Sequence, residues 1–221
     1  MLKVLLINGN IEPYIPIKQL MDKFGDLFGE KSVKCDRIEL SDFEIKTCRY
    51  CSNCLIKGDC IINDDFIQLK SLIAEADAVI IGSQCFGGEP SQLLKAFFDR
   101  LYLLCLKRSC FENKYFVGVS VGEKGNVKKV AKYCAKLGRL KFTSNGITAG
   151  IYYKKVFENN KIISFIDEKK LREIVGRLIR FTCKKQVPLY YTIKTFFSKN
   201  ILLFLHRIIY RTYSKNYQNI P

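Results

Sequence analysis

The chain has 221 residues, 48% of them apolar, and a mean hydropathy near zero. These values exclude a disordered chain and leave one domain of ordinary size with a full core, with room for an appendage. No apolar run reaches 18 residues, which argues against a membrane-spanning helix. The formal charge is +16, and the last 48 residues carry nine Lys or Arg and no acid. Such a bias suits an anionic partner: nucleic acid, a membrane surface or an acidic protein.

In chain order, "KVLLING" (3–9) reads as a buried strand ending in a turn, and residues 17–28 as a helix. "SVKCDRIEL" (32–40) alternates apolar and polar residues, as an edge strand does. A cysteine-rich loop follows. Asn63 is placed to cap a helix whose first turn holds Asp64 and Asp65 and whose apolar face is Phe66, Leu69, Ile73 and Ala76. "DAVIIGS" (77–83) is continuously apolar, so this strand is expected to be buried on both faces. A helix is expected from about Ser91 to Leu106, a buried strand at 115–122, and a helix capped by Asn126 and ended by Gly138. A fifth strand is expected at 146–153 and a helix at 167–184. Strands alternating with helices imply a parallel sheet covered on both faces. Ligands of such sheets bind beyond the carboxyl ends of the strands, here the loops 9–16, 83–90 and 122–126. The cysteine run is expected on the same edge.

That run is "CRYCSNCLIKGDC", with Cys48, Cys51, Cys54 and Cys60. The first residues lack the features of a secretory signal, so a cytoplasmic location is expected, where thiols stay reduced. A dense thiol cluster there points to metal or redox chemistry. Thiolates two residues apart can wrap one centre, and Gly58 lets the chain turn back to bring Cys60 in. The spacing favours a [4Fe-4S] cluster. Structural zinc, which accepts four thiolates, and an unmetallated thiol loop are the alternatives. Of the other six cysteines, those at 35, 105, 110, 134 and 183 fall on strands or helices, and most read as small core residues; Cys85 is the exception, in a loop after a strand. The single histidine, His206, lies in the basic tail, and no nucleophile–base pair can be assembled. No catalytic side chain is assigned.

The strand "KVLLING", the stretch "CRYCSNCLIKGDCIINDDF" and the stretch "ADAVIIGSQCFGGEPSQLLKAFFDRL" together resemble the iron–sulfur flavoproteins, within the flavodoxin-like NADPH-dependent FMN reductase superfamily. The resemblance covers about residues 1–150. It implies an α/β flavodoxin-like, doubly wound five-stranded parallel sheet with FMN at its carboxyl edge. It also implies a cubane cluster held by Cys48, Cys51, Cys54 and Cys60 that lies near a flavin, often across a homodimer interface. The implied activity passes electrons between ferredoxin or NAD(P)H and an acceptor. Residue by residue, Ser83, Gln84, Cys85, Phe86, Gly87 and Gly88 match the loop lining the isoalloxazine ring. Gly122, Glu123 and Gly125 match the third loop. The first loop departs from the family's pattern. Gly9 is kept, but Asn10 and Ile17 replace hydroxyl positions, Glu12 adds a negative charge, and Pro13 and Pro16 remove donors.

The expected organisation is a flavodoxin-like domain, 1–184, and a basic, aromatic helical tail, 185–221. Ile201, Phe204, Leu205 and Ile208 of the tail follow helical spacing. Packing on the domain or on a second copy in a homodimer or higher homo-oligomer is the main expectation for this tail. Peripheral membrane contact is the alternative, and no nucleic-acid motif is recognisable. Two other functions stay open: an NAD(P)H-dependent flavin or quinone reductase without a cluster, and a flavin-less iron–sulfur or zinc protein.

Overall fold

The computed structural model describes residues 2–11, 15–107, 111, 114–122, 125–136, 147–155 and 167–184. Five strands form one sheet: β1 (Lys3–Asn8), β2 (Lys34–Glu39), β3 (Ala78–Gln84), β4 (Tyr115–Gly122) and β5 (Ile147–Lys155). Every neighbouring pair is parallel, in the order β2-β1-β3-β4-β5. This is the flavodoxin-like doubly wound order, whose direction reverses between β1 and β3. The helices are α1 (Ile15–Gly29), α2 (Asn53–Lys57), α3 (Phe66–Glu75), α4 (Gln92–Lys107), α5 (Val127–Cys134) and α6 (Glu168–Lys184). Among the described residues, no helix is long and apolar enough to cross a membrane.

Residue pattern explains the layering. β4 is buried at all eight positions and β3 at the first six, as continuous apolar strands covered on both faces should be. β2 has no buried position and lies at the edge. Leu5, Ile7, Val79, Ile81 and Phe116 point to one face, where they join Phe66, Leu69 and Ile73 of α3, Phe97 and Leu101 of α4, and Val127 and Val130 of α5. On the other face, the position of Gly82 meets Ile17 and Met21 of α1. Outside that layer, Arg172 of α6 bridges to Glu30 at 2.5 Å and Glu168 to Lys23 at 3.2 Å. Both pairs are largely exposed and contribute little.

Three local expectations need correction. The helix expected from Asn63 starts at Phe66, so Asp64 and Asp65 precede its first turn. Only Asp64 acts as a cap there, taking the Phe66 N–H on Oδ1 at 3.2 Å. Part of the cysteine run is helical rather than loop, because α2 carries Cys54. The helix placed at 17–28 begins two residues earlier, which puts Ile17 inside it. Asn126 does cap α5, accepting the Lys129 N–H at 3.0 Å. Gly138, Glu12, Glu123, Cys110 and the whole tail at 185–221 lie outside the described residues.

Candidate functional site: a cleft at the sheet edge and a four-thiol cavity

The cleft is built from the loops after β1, β3 and β4. Backbone and short side chains stitch them together. Gly9 donates to the Gly82 carbonyl at 2.8 Å, and Cys85 donates to Val121 at 2.8 Å. The Asn10 Oδ1 accepts the Gln84 N–H at 2.9 Å, and the Ser83 Oγ accepts the Ser91 N–H at 2.9 Å. Ser91 Oγ in turn bonds the Gly9 carbonyl. After Cys85 the chain makes a two-residue turn, with Phe86 and Glu89 exchanging hydrogen bonds of 3.1 and 3.0 Å. Its central residues, Gly87 and Gly88, have φ of 57° and 88°. Positive φ at both positions is what such a turn demands and what glycine supplies without strain. Gly125 packs against this turn so closely that a Cβ there would stand 2.6 Å from the Gly88 nitrogen. The cleft walls are therefore bare backbone.

Two features of the cleft suit a flat polar-edged ligand. Phe86 stands at its rim with 82% of its surface exposed. The amide nitrogens of Asn8 and Asn10 are buried and have no hydrogen-bond partner. Buried polar atoms are normally paired, so these mark positions where a bound group would complete the bonding. Two residues expected to line the cleft turn away from it. The Ile17 side chain is buried in the α1 layer at 0% exposure. Cys85 is buried in the core, against the backbone of Gly122.

The other part of the site is a cavity lined by Cys48, Cys51, Cys54 and Cys60, together with Arg49, Arg100 and Leu103. All four thiols of the run share it. Burial, and then the nearby Cys60 and Cys48 sulfurs, push the Cys54 thiol up. The Asn53 backbone N–H pulls the exposed Cys51 thiol down. Cys48 Sγ accepts the Tyr50 N–H at 3.4 Å. The four thiols do not converge on a single-ion geometry: among the described residues no group of three or more His, Cys, Asp or Glu side chains forms a metal site.

Arg100 and Asp64 are the residues that sequence reasoning missed in functional terms. Their side chains are 1% and 0% exposed and form a two-pronged ion pair, with Nη2 to Oδ1 at 2.9 Å and Nη1 to Oδ2. Burial raises the Asp64 carboxyl, but the Arg100 fork and the N–H groups of Lys46 and Phe66 hold it below its ordinary value. The available signal was a cation placed on the apolar stripe Phe97–Leu101–Leu104 of α4, where an unpaired charge is not tolerated.

An open α/β sheet of this order, with glycine-lined loops at its reversal point, defines the flavodoxin-like fold. The profile of the NADPH-dependent FMN reductase family matches residues 2–139, and the chain belongs to that family of oxidoreductases. It is 31% identical over 97 residues to an iron–sulfur flavoprotein of Methanosarcina thermophila, covering 44% of this chain and 51% of that one. It is 30% identical over 122 residues to one of Archaeoglobus fulgidus, covering 53% and 58%. An iron–sulfur flavoprotein of Clostridioides difficile (strain 630) is 27% identical over 163 residues, covering 67% and 72%. The chain thus spans about half the length of the first two relatives. Among solved structures, RosB with bound 8-demethyl-8-formylriboflavin-5'-phosphate superposes with a TM-score of 0.66 at 17% identity, covering 83% of this chain and 80% of that one. A short-chain flavodoxin superposes at 0.53 and 12%, covering 82% and 99%. At these identities the structural likeness speaks for the fold alone.

Proposed function

We propose that this chain is an iron–sulfur flavoprotein. It binds FMN at the sheet edge and a [4Fe-4S] cluster at Cys48, Cys51, Cys54 and Cys60, and passes electrons between ferredoxin or NAD(P)H and an acceptor. The observation that carries this reading is the gathering of all four thiols of the run on one cavity beside a cation. Four thiolates are the donor set an iron–sulfur cluster requires, and the negative centre they make is favoured by Arg49 and Arg100 on the same wall. For FMN, Gly87, Gly88 and Gly125 would let backbone approach the ring, and Phe86 would cover it. The unpaired nitrogens of Asn8 and Asn10 would meet its polar groups. When bound, flavin exchanges one or two electrons and the cluster one; the protein's part is position and electrostatics.

Two surface features support partners for this reading. Tyr50, Ile56 and Ile61 on the cysteine segment expose 73, 68 and 56% of their surface. Apolar side chains gathered beside a redox centre support cover by a second copy of the chain. The excess of base after Glu173 supports steering of an acidic protein such as ferredoxin.

The test is the visible spectrum of anaerobically purified protein, with flavin and iron assays. The expected result is flavin together with about four irons per chain, the content of a [4Fe-4S] centre. Flavin without iron would instead establish a cluster-free reductase, and iron without flavin would overturn the flavoprotein reading. A second expected outcome concerns the cleft. Gly125→Ala adds a Cβ 2.6 Å from the Gly88 nitrogen at a φ of 89°, so the two loops must part. FMN affinity measured by fluorescence titration should fall about tenfold or more, since misplaced loop backbone loses its ligand contacts. Unchanged affinity would mean that the loops do not bind the flavin.

A further inference from the structure

Arg100 makes more contacts than an ion pair needs. Its Nη1 donates to the Lys46 carbonyl at 3.1 Å, its Nη2 donates to Cys60 Sγ at 3.4 Å, and its Cζ lies 4.1 Å from the centre of the Phe66 ring. Asp64 completes the arrangement. Its Oδ2 accepts the Lys46 N–H at 2.8 Å. The neighbouring Asp65 accepts the Glu44 N–H at 2.7 Å and donates its own N–H to the Glu44 carbonyl at 3.1 Å. Segment 44–46 is thereby laced to segment 60–66 just before Cys48 and just after Cys60. The cysteine run is a loop closed at its neck, and one guanidinium holds both sides of that neck.

Such a pair is costly as a mere staple. Burying two charges is penalised, and an apolar pair of similar volume stabilises a fold as well or better. What an apolar pair cannot provide is a planar fork that holds a carboxylate, a carbonyl and a thiol at once, or a positive charge beside a sulfur. We propose that Arg100, locked by Asp64, is a positioning residue for the cysteine centre. It closes the neck of the loop, fixes Cys60, and sets a buried positive charge that favours the more negative, reduced state. This inference rests on the cluster reading above.

The test is a dithionite titration of the full-length, anaerobically reconstituted protein, read by visible and electron paramagnetic resonance spectra. Arg100→Met removes a positive charge and Asp64→Asn a negative one, so the midpoint potential should move in opposite directions. At the wild-type midpoint the ratio of reduced to oxidised centre should fall about tenfold in the first and rise about tenfold in the second, with ~59 mV per tenfold for one electron. The neutral double variant Arg100→Met/Asp64→Asn should return toward wild type. A purely structural role predicts shifts of one sign in both single variants, so like-signed shifts or none would overturn the electrostatic assignment. Should Arg100→Met not fold, Arg100→Lys and the neutral pair serve in its place: the lysine retains charge without the fork. Hydrogen exchange across 44–62 of the whole protein reads the neck independently. It should quicken in Arg100→Lys and Asp64→Asn, and unchanged exchange would overturn the clamp. If wild-type protein takes up no iron, the cluster reading fails by itself, and the exchange rates still decide the clamp.

Discussion

Serine at position 48, 51, 54 or 60 is expected to lower the iron held per chain at least about tenfold, because a hydroxyl is a hard, protonated donor where a soft thiolate is needed. The four substitutions should differ in their side effects. Cys51 is exposed, so its loss should leave the thermal midpoint of the metal-free protein unchanged. Cys54 is 8% exposed, and a hydroxyl there must find a partner or cost about 1–3 kcal/mol. Cys134 provides the contrasting control. It is completely buried in the core, and burial pushes its thiol far up, as befits an inert core residue. Cys134→Ser should lose stability and keep iron. Cys183, exposed on α6, should be silent in both respects. Iron and acid-labile sulfide assays beside a melting curve separate these outcomes. A folded variant at any of the four positions that retains wild-type iron would remove that residue from the ligand set.

Much of this architecture is legible in the chain because it follows from periodicity. Short continuous apolar runs at 77–83 and 115–122, bounded by turn residues, suit central parallel strands, and an alternating run at 32–40 suits an edge. The thiol spacing is local, so its gathering on one cavity is legible too. What is not legible depends on contacts far apart in sequence. Asp64 and Asp65 read as helix-start acids, the local use of such residues. Their partners turn out to be Lys46, Glu44 and Arg100, up to 36 residues distant. Ile17 and Cys85 align with cleft positions, yet which way a side chain points where an element meets a loop is set by the packing around it: Ile17 packs beside Gly82 in the α1 layer, and Cys85 joins the core. Arg100 lies on the apolar stripe of α4, which signals its burial, but its partners Lys46, Cys60 and Asp64 become visible only once those segments are packed beside it.

The largest stability effect expected outside the site is that of Gly118→Ala, and it tests how the cleft is built. Gly118 is the central residue of β4 beneath α5. A Cβ there would fall 1.9 Å from the Ala131 carbonyl oxygen and 2.6 Å from the Ala135 nitrogen. Both are backbone atoms of the helix or its cap, so no side-chain rotation relieves the clash. The helix must lift from the sheet, at a cost of about 3 kcal/mol or more, the upper end for overpacked cores. For a domain of this size that is roughly a 6–12 °C fall in thermal midpoint. Because α5 is capped by Asn126, directly after Gly125, lifting it also pulls the third loop from the turn at Gly87 and Gly88. Flavin affinity should therefore fall along with stability. Gly82→Ala is the informative comparison, since its added Cβ would lie 2.1 Å from the terminal methyl of Met21. That methyl ends a flexible side chain that can swing away, so the expected cost is only about 1 kcal/mol. Equal destabilisation by the two substitutions would mean that α5 is free to move off β4, and the cleft would then owe its shape to its loops alone.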